Sequence, residues 1–283
     1  SGRSALLGTG GGAEAAIRLK TYRLLWNAMR RGSIGVGESY MAQDFDSPDL
    51  VNVFRFFIDN KAALTRSSRG LFRVRRSDTT FHRARSNTRA GSRRNISEHY
   101  DLGNAFYAQW LDPSMTYSSA LYREPSQTLD DAQREKYARI LAALDLRPGM
   151  RVLEIGCGWG AMAEVAARAG AHVTAITVSA EQLAYTQRRI AAAGLDGQCE
   201  ARFCDYRDIT GTYDRIVSIE MIEAVGEEHW QDYFRTLNAR LAPGGHAVIQ
   251  AITIQDAAFG SYRRKADFIQ RYIFPGSHIP SVA

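Results

Sequence analysis

The chain has 283 residues, 45% of them hydrophobic and 23% charged, with a formal net charge of +6. That is long enough for a full core and a small additional domain, and no run reaches the roughly eighteen apolar residues that a membrane-spanning helix needs. The three cysteines, Cys157, Cys199 and Cys204, make neither an even disulfide framework nor a CxxC metal pair, which points to a reduced, cytoplasmic setting with no metal site.

Residues 1–12 are small, polar and glycine-rich, and read as a flexible tail without signal-peptide character. Residues 13–31 place Ala15, Leu19, Tyr22, Leu25, Trp26 and Met29 at helical spacing, which predicts an amphipathic helix. The glycines of 32–40 are expected to break it. Residues 48–64 predict a second helix, capped by Ser47. Its stripe of Leu50, Val51, Phe54, Phe57 and Ile58 is expected in the core, with an acyl-binding surface as the alternative.

Residues 65–95 form an arginine-rich linker with little periodicity. Arg66, Arg69, Arg73, Arg75, Arg76, Arg83, Arg85, Arg89, Arg93 and Arg94 crowd into it. A solvated linker is one reading, and anionic lipid or nucleic acid are the others. Few aromatics accompany the arginines and no nucleic-acid module surrounds them, so no nucleic acid is expected. Each basic residue near an anionic surface would contribute about 1 kcal/mol, lost at high salt. The linker divides a small amino-terminal domain, 1–64, from a larger one, 96–283.

Residues 96–111 predict a helix carrying His99, Tyr100, Asp101 and Asn104. Asn104 shares a face with Tyr100 and with Asp101, and Gly103 weakens the helix slightly. Tyr117, Ser118 and Ser119 follow in a loop, and 129–144 is helical. A short apolar run then ends in Glu154-Ile155-Gly156-Cys157-Gly158-Trp159-Gly160. An alanine-rich helix starts at once, giving strand, tight turn, helix. Glycines let the backbone turn and approach a ligand closely, and the helix start offers free N–H groups. The spacing is not that of dinucleotide-binding turns, and no Lys-Ser/Thr follows for a phosphate loop. On these residues alone, a bare strand-to-helix turn stays open.

Further strands are predicted at 171–176, 200–204, 214–219 and 245–252, with helices at 177–193, 227–241 and 263–272. Alternating strands and helices imply an α/β doubly wound parallel sheet. Such sheets bind ligands beyond the strands' carboxyl ends. Residues 156–160, Thr177, Ser179, Gln182, Asp205 and Tyr206 gather there and outline a nucleoside-sized pocket.

Glu154 to Gly160 resembles the cofactor motif of S-adenosylmethionine (SAM) methyltransferases. More narrowly, the chain resembles the cyclopropane-fatty-acyl-phospholipid synthase family. The matching segments are His99-Tyr100-Asp101-Leu102-Gly103-Asn104, Tyr117-Ser118, the glycine loop, 177–182, Asp205-Tyr206-Arg207-Asp208 and Tyr272-Ile273-Phe274-Pro275-Gly276. They run in the same order from about Gly32 onward. The resemblance implies a class I (Rossmann-like) SAM methyltransferase fold with a small, mainly helical amino-terminal domain. It also implies two later strands and a tyrosine-bearing segment that are missing after Gly276. By similarity, SAM is held by Tyr117, Ser118, Glu154, Gly156, Cys157, Gly158, Gly160, Thr177, Ser179, Gln182, Asp205 and Tyr206. A lid carries His99, Tyr100 and Asn104.

The substrate must be read from the site. Methyl transfer to an alkene leaves a cation that must be kept dry, stabilised and deprotonated. In the family a bicarbonate ion is understood to be the base, held by cysteine, glutamate, histidine, a backbone group and tyrosine. Glu223 and the backbone of Ile252 fall at two of these positions. Ser119 stands for the cysteine and Gln250 for the histidine. Both can hydrogen-bond, but neither supplies a charge, which weakens the case for bicarbonate. A hydride shift then proton loss would give a methylene-branched chain, as in the methyltransferases that start 10-methyl-branched (tuberculostearate-type) fatty acids. A separate reductase partner would saturate it. Glu220 is a rival carboxylate, and on a continuing strand only one of the two could face the cofactor. Glu223 as an ordinary helix-start acid is the plainer alternative.

The expected partners are unsaturated phospholipid acyl chains and an anionic membrane surface, for a cytoplasmic protein peripherally bound to the membrane. A homo-oligomer stays open. So do cyclopropane formation, N- or O-methylation of a small molecule, and a non-catalytic lipid-binding module.

Overall fold

The computed structural model describes residues 15–60, 80, 84–100 and 102–283. The predicted tail, the end of the second helix at 61–64, Asp101, and Arg66, Arg69, Arg73, Arg75, Arg76 and Arg83 lie outside the described residues. The chain divides into two compact units, 1–80 with 265–271, and 81–264 with 272–283.

In the first unit β1 (Arg18–Leu19) pairs antiparallel with β2 (Phe45–Asp46), and α1 (Arg23–Met41) joins them. The helix therefore starts ten residues later than the periodicity suggested and runs through the expected break. Gly32, at φ +55°, kinks it instead of ending it. Gly35 permits the tight kink: a Cβ there would sit 2.1 Å from the Asn27 carbonyl oxygen, and one on Gly37 would overlap the Phe268 ring. The second helix, α2 (Leu50–Asp59), is capped by Asp49, whose side chain accepts from Asn52 N, while Ser47 supports Asp49 from outside. Its predicted core stripe is corrected. Val53 is the buried residue, whereas Phe54 and Ile58 are 63% and 69% exposed and Val51 and Phe57 are also exposed.

The second unit starts with α3 (Arg89–Tyr100) and α4 (Asn104–Tyr107). The single helix expected over 96–111 is divided because Gly103 takes φ +83° and caps α4. Then come α5 (Leu129–Ala143), β3 (Arg151–Ile155), α6 (Ala161–Arg168), β4 (His172–Thr177), α7 (Ala180–Ala192), β5 (Cys199–Phe203), β6 (Tyr213–Ile219), α8 (Trp230–Arg240), β7 (Leu241–Gln250) and α9 (Asp256–Tyr262). The five strands are parallel in the order β5-β4-β3-β6-β7. β7 takes in Pro243-Gly244-Gly245 through a register shift between Tyr213 and Arg215. The last predicted helix, 263–272, is replaced by α9 upstream and a π turn at Ile269–Ile273.

Alternation along the strands explains the two cores. Val152, Val173, Ala175 and Val217 pack with the small residues of α6 and with Tyr137, Ile140 and Leu144 on one face. Leu153, Ile155, Ile176 and Ile216 pack with Tyr233 and Leu237 on the other. A parallel sheet needs both faces covered, and each fully buried Val, Leu or Ile contributes about 1.5–3 kcal/mol. These layers fix the strand ends, and with them the site. No described helix is long and apolar enough to cross a membrane.

Candidate active site

The glycine loop leaves β3 with φ of +81°, +53° and +81° at Gly156, Gly158 and Gly160. The N–H groups of Gly156 and Cys157 both donate to Ile176 O, which pins the loop to β4. A Cβ on Gly160 would lie 2.6 Å from Thr186, and one on Gly156 would meet Met221, whereas nothing lies within 4 Å of one on Gly158. The loop is thus crowded beneath and open at its crest, a cradle that a side chain would fill. The Cys157 thiol is buried and its pKa raised by desolvation, so it serves as packing.

Beside the loop, the Thr177 hydroxyl donates to Gln182 Oε1 at 3.0 Å and accepts from Ser179 N at 3.1 Å. Ser179 caps α7 through Gln182 N. All three are buried. Gln182 also hydrogen-bonds the Tyr100 hydroxyl. Tyr100, Tyr107 and Tyr117 surround Trp159, with Tyr100 edge-on to it at 5.5 Å. Asn104 Oδ1 accepts from Trp159 Nε1 at 2.6 Å, tying α4 to the glycine loop.

His99 is buried, its Nδ1 donating to Ile273 O at 2.8 Å and its ring 4.0 Å from Phe274. Desolvation lowers its pKa, so it is neutral, and its Nε2 has no partner. Asp205 is held by Arg207 through both oxygens at 2.7 and 2.8 Å, which keeps its pKa low against the pull of burial. Tyr206 packs edge-on against Tyr233 at 5.5 Å inside the core. It thus forms part of the core wall at the end of β5.

Glu154 is buried at the base of the loop, and desolvation raises its pKa from the usual carboxylate range to about 8. Its Oε2 has no partner. Lys136 is also buried, with its pKa lowered to about 8 by desolvation, and its Nζ donates to Ser118 Oγ at 2.7 Å. Sequence reasoning missed this lysine. The signal was there, because Ala132, Lys136 and Ile140 follow at i, i+4 spacing on one helix face.

The strand ends carry the charge. β6 stops at Ile219, Glu220 adopts φ +49°, and a 3-10 turn at Ile222–Ala224 follows. The strict strand alternation used to separate Glu220 from Glu223 therefore does not apply. Glu220 Oε1 accepts from Ser119 N (2.9 Å), Ser119 Oγ (2.6 Å) and Gln250 Nε2 (2.9 Å). Glu223 is buried. Its Oε1 accepts from Ile252 N, while its Oε2 has no partner. Desolvation raises its pKa, and the Glu220 charge adds to the rise. The site thus joins Ser119, Glu220 and Gln250 in one cluster and Glu223 with Ile252 in another.

Of the arginines in the described part of the linker, Arg89 pairs with Asp208 at 2.7 Å and Arg85 pairs with Glu98. These two serve the protein itself and are not free for a surface.

Comparison with known proteins agrees with this geometry. The family described as mycolic acid cyclopropane synthetase matches residues 87–283. The tuberculostearic acid methyltransferase UfaA1 of Mycobacterium tuberculosis is 42% identical over 260 residues, covering 89% of this chain and 60% of its own length. The cyclopropane-fatty-acyl-phospholipid synthase of Escherichia coli (strain K12) is 35% identical over 96% of this chain and 69% of its own. The chain thus spans 60% and 69% of these two curated relatives. Among solved structures, the mycolic acid cyclopropane synthase CmaA1 complexed with SAH and CTAB superposes with a TM-score of 0.61 at 30% identity, over 67% of this chain and 70% of that one. The strand order, the glycine cradle and these matches together place the chain in the mycolic acid cyclopropane synthetase family, on the class I SAM methyltransferase fold.

Proposed function

We propose that the chain is the catalytic part of a SAM-dependent C-methyltransferase that adds a one-carbon unit to the double bond of unsaturated phospholipid acyl chains, giving a methylene branch. The donor set fits the cofactor. The crest at Gly158 is open, Thr177 and Gln182 lie beside the loop, and Tyr117 and Ser118 would border the methionine side. The orphaned Nε2 of His99 faces no protein partner and is available to a ligand.

When bound, this cofactor supplies a methyl group on a sulfonium. The alkene's electron pair forms the new C–C bond, the C–S pair leaves with sulfur, and a cation stays on the acyl chain. The rings of Tyr100, Tyr107, Tyr117 and Trp159 keep water away from such a cation. The observation that carries the reading is Glu223. Its carboxylate is buried, fixed at one oxygen by Ile252 N–H and free at the other, an arrangement suited to stabilising positive charge in a dry site. A hydride shift and proton loss would then leave the methylene group. The similarity to UfaA1, a tuberculostearic acid methyltransferase, supports the branched product, and a separate reductase would be needed to saturate it. On this reading the linker arginines other than Arg85 and Arg89 would draw the protein to the cytoplasmic face of an anionic membrane.

Cyclopropane formation is the second reading, favoured by the similarity to the Escherichia coli synthase. The test incubates the full-length protein with SAM and dioleoyl phospholipid vesicles and examines the acyl product by NMR. Exocyclic methylene protons are expected. Cyclopropane ring protons alone would defeat the branched product, and methyl groups only on headgroup nitrogen or oxygen would defeat C-methylation.

A further inference from the structure

We infer that Glu220 is the catalytic base of this site and occupies the place where its relatives' chemistry would call for a small anion; this rests on the C-methylation reading above. Three donors converge on one oxygen. Ser119 N, Ser119 Oγ and Gln250 Nε2 lie 2.9, 2.6 and 2.9 Å from Glu220 Oε1. Ser119 and Gln250 are the positions that resemblance assigns to anion binding. Their hydrogen bonds are already spent on a carboxylate that the chain itself supplies.

A bicarbonate ion does not fit this arrangement. It would lose its donors to Glu220 and would stand beside two carboxylates, Glu220 and Glu223, whose mutual repulsion already raises the Glu223 pKa. No step is therefore routed through bicarbonate.

The backbone explains how Glu220 arrives there. Its N–H donates to Gln250 O at 2.8 Å, so β7 fixes it at the strand end. Its φ of +49° turns the chain out of the strand, which brings the side chain over Ser119. The second, independent sign of a ligand is Glu223 Oε2, a buried oxygen without a partner in the same corner. Glu223 and Glu220 then divide the work. Glu223 stabilises the cation on the acyl chain. After a hydride moves with its electron pair from the methylated carbon to the neighbouring cationic carbon, the cation stands beside the new methyl. Glu220 then removes a proton from that methyl, the C–H pair becomes the new C=C bond, and the proton resides on the Glu220 carboxyl. A carboxylate suffices for this step, because a C–H next to a cationic carbon is a far stronger acid than a carboxylic acid. The three donors hold the Glu220 side chain in place.

Two variants and one titration test this. In carbon-dioxide-free buffer, the full-length wild type is expected to methylate dioleoyl phosphatidylglycerol vesicles at a rate that added bicarbonate leaves unchanged. E220Q should lose about 100-fold or more in rate with unaltered affinity for S-adenosylhomocysteine. E220G suits the left-handed backbone and frees the three donors, so added bicarbonate or formate should restore its rate about 10-fold. Calorimetric titration with bicarbonate, in the presence of S-adenosylhomocysteine, should show binding to E220G and none to the wild type. Bicarbonate binding to the wild type, or an E220Q rate equal to that of the wild type, would overturn the inference. Because the titration needs no turnover, it separates this inference from the C-methylation reading, which falls if the wild type yields no lipid product.

Discussion

The two sides of the cleft are built by opposite rules. The wall formed by Thr177, Ser179 and Gln182 is neutral, buried and internally hydrogen-bonded, each group satisfying the next. The corner at the ends of β6 and β7 concentrates charge. Glu220 gathers three donors, and Glu223 keeps an unpartnered oxygen despite burial. A satisfied neutral network costs little and positions a ligand. An uncompensated buried carboxylate costs stability, and functional sites are where such costs concentrate. On the proposed function, the first side binds the cofactor and the second carries the chemistry.

The largest expected effect breaks the second side. E223Q keeps the shape and the Ile252 contact but removes the charge. Its rate on unsaturated phospholipid should fall by about 10²–10⁴-fold while S-adenosylhomocysteine affinity, read by calorimetry, stays as in the wild type. An equal loss of affinity would blur the division.

Damage to the binding side should show the reverse pattern. In G160V a side chain meets Thr186 in a backbone at φ +81°. Thermal or denaturant unfolding should show a loss of about 2–5 kcal/mol from left-handed strain plus overpacking, together with weakened cofactor binding. Q182A is milder. Removing one hydrogen-bonding partner should weaken S-adenosylhomocysteine binding by about 1–2 kcal/mol, roughly 5–30-fold, with little change in the rate at saturating cofactor.

A purely pH-dependent effect concerns Glu154 below the loop. Its pKa is raised to about 8 in the folded protein, so the folded state holds the proton longer than the unfolded state. That contribution to stability is complete below the ordinary carboxylate pKa and is lost as pH rises through about 8. Thermal unfolding between pH 5 and pH 8 should therefore show a decline for the wild type of at most about 1.4 kcal/mol per pH unit. E154Q should flatten it.

The binding side was largely legible in the sequence. Strand, glycines and helix are local signals, and the parallel order of β3, β4 and β6 follows from their alternation with helices. The chemical side was legible only in part. Glu223, Ser119 and Gln250 could be named, but their partners lie 101, 131 and 29–30 residues away. Strand alternation suggested that Glu220 and Glu223 compete, since nothing in the sequence announced a glutamate at φ +49°. The stripe on α2 failed for a related reason. Periodicity shows that an apolar face exists, and tertiary structure decides whether anything covers it.

The central claim, methyl transfer to a carbon–carbon double bond followed by loss of a proton from that same methyl, is tested most directly with trideuteromethyl-SAM. The full-length protein acting on dioleoyl phospholipid vesicles should yield acyl chains that retain two of the three deuterium atoms, as read by mass spectrometry. Retention of all three would mean an acceptor other than the alkene carbon, or a proton lost from elsewhere, and would contradict the account.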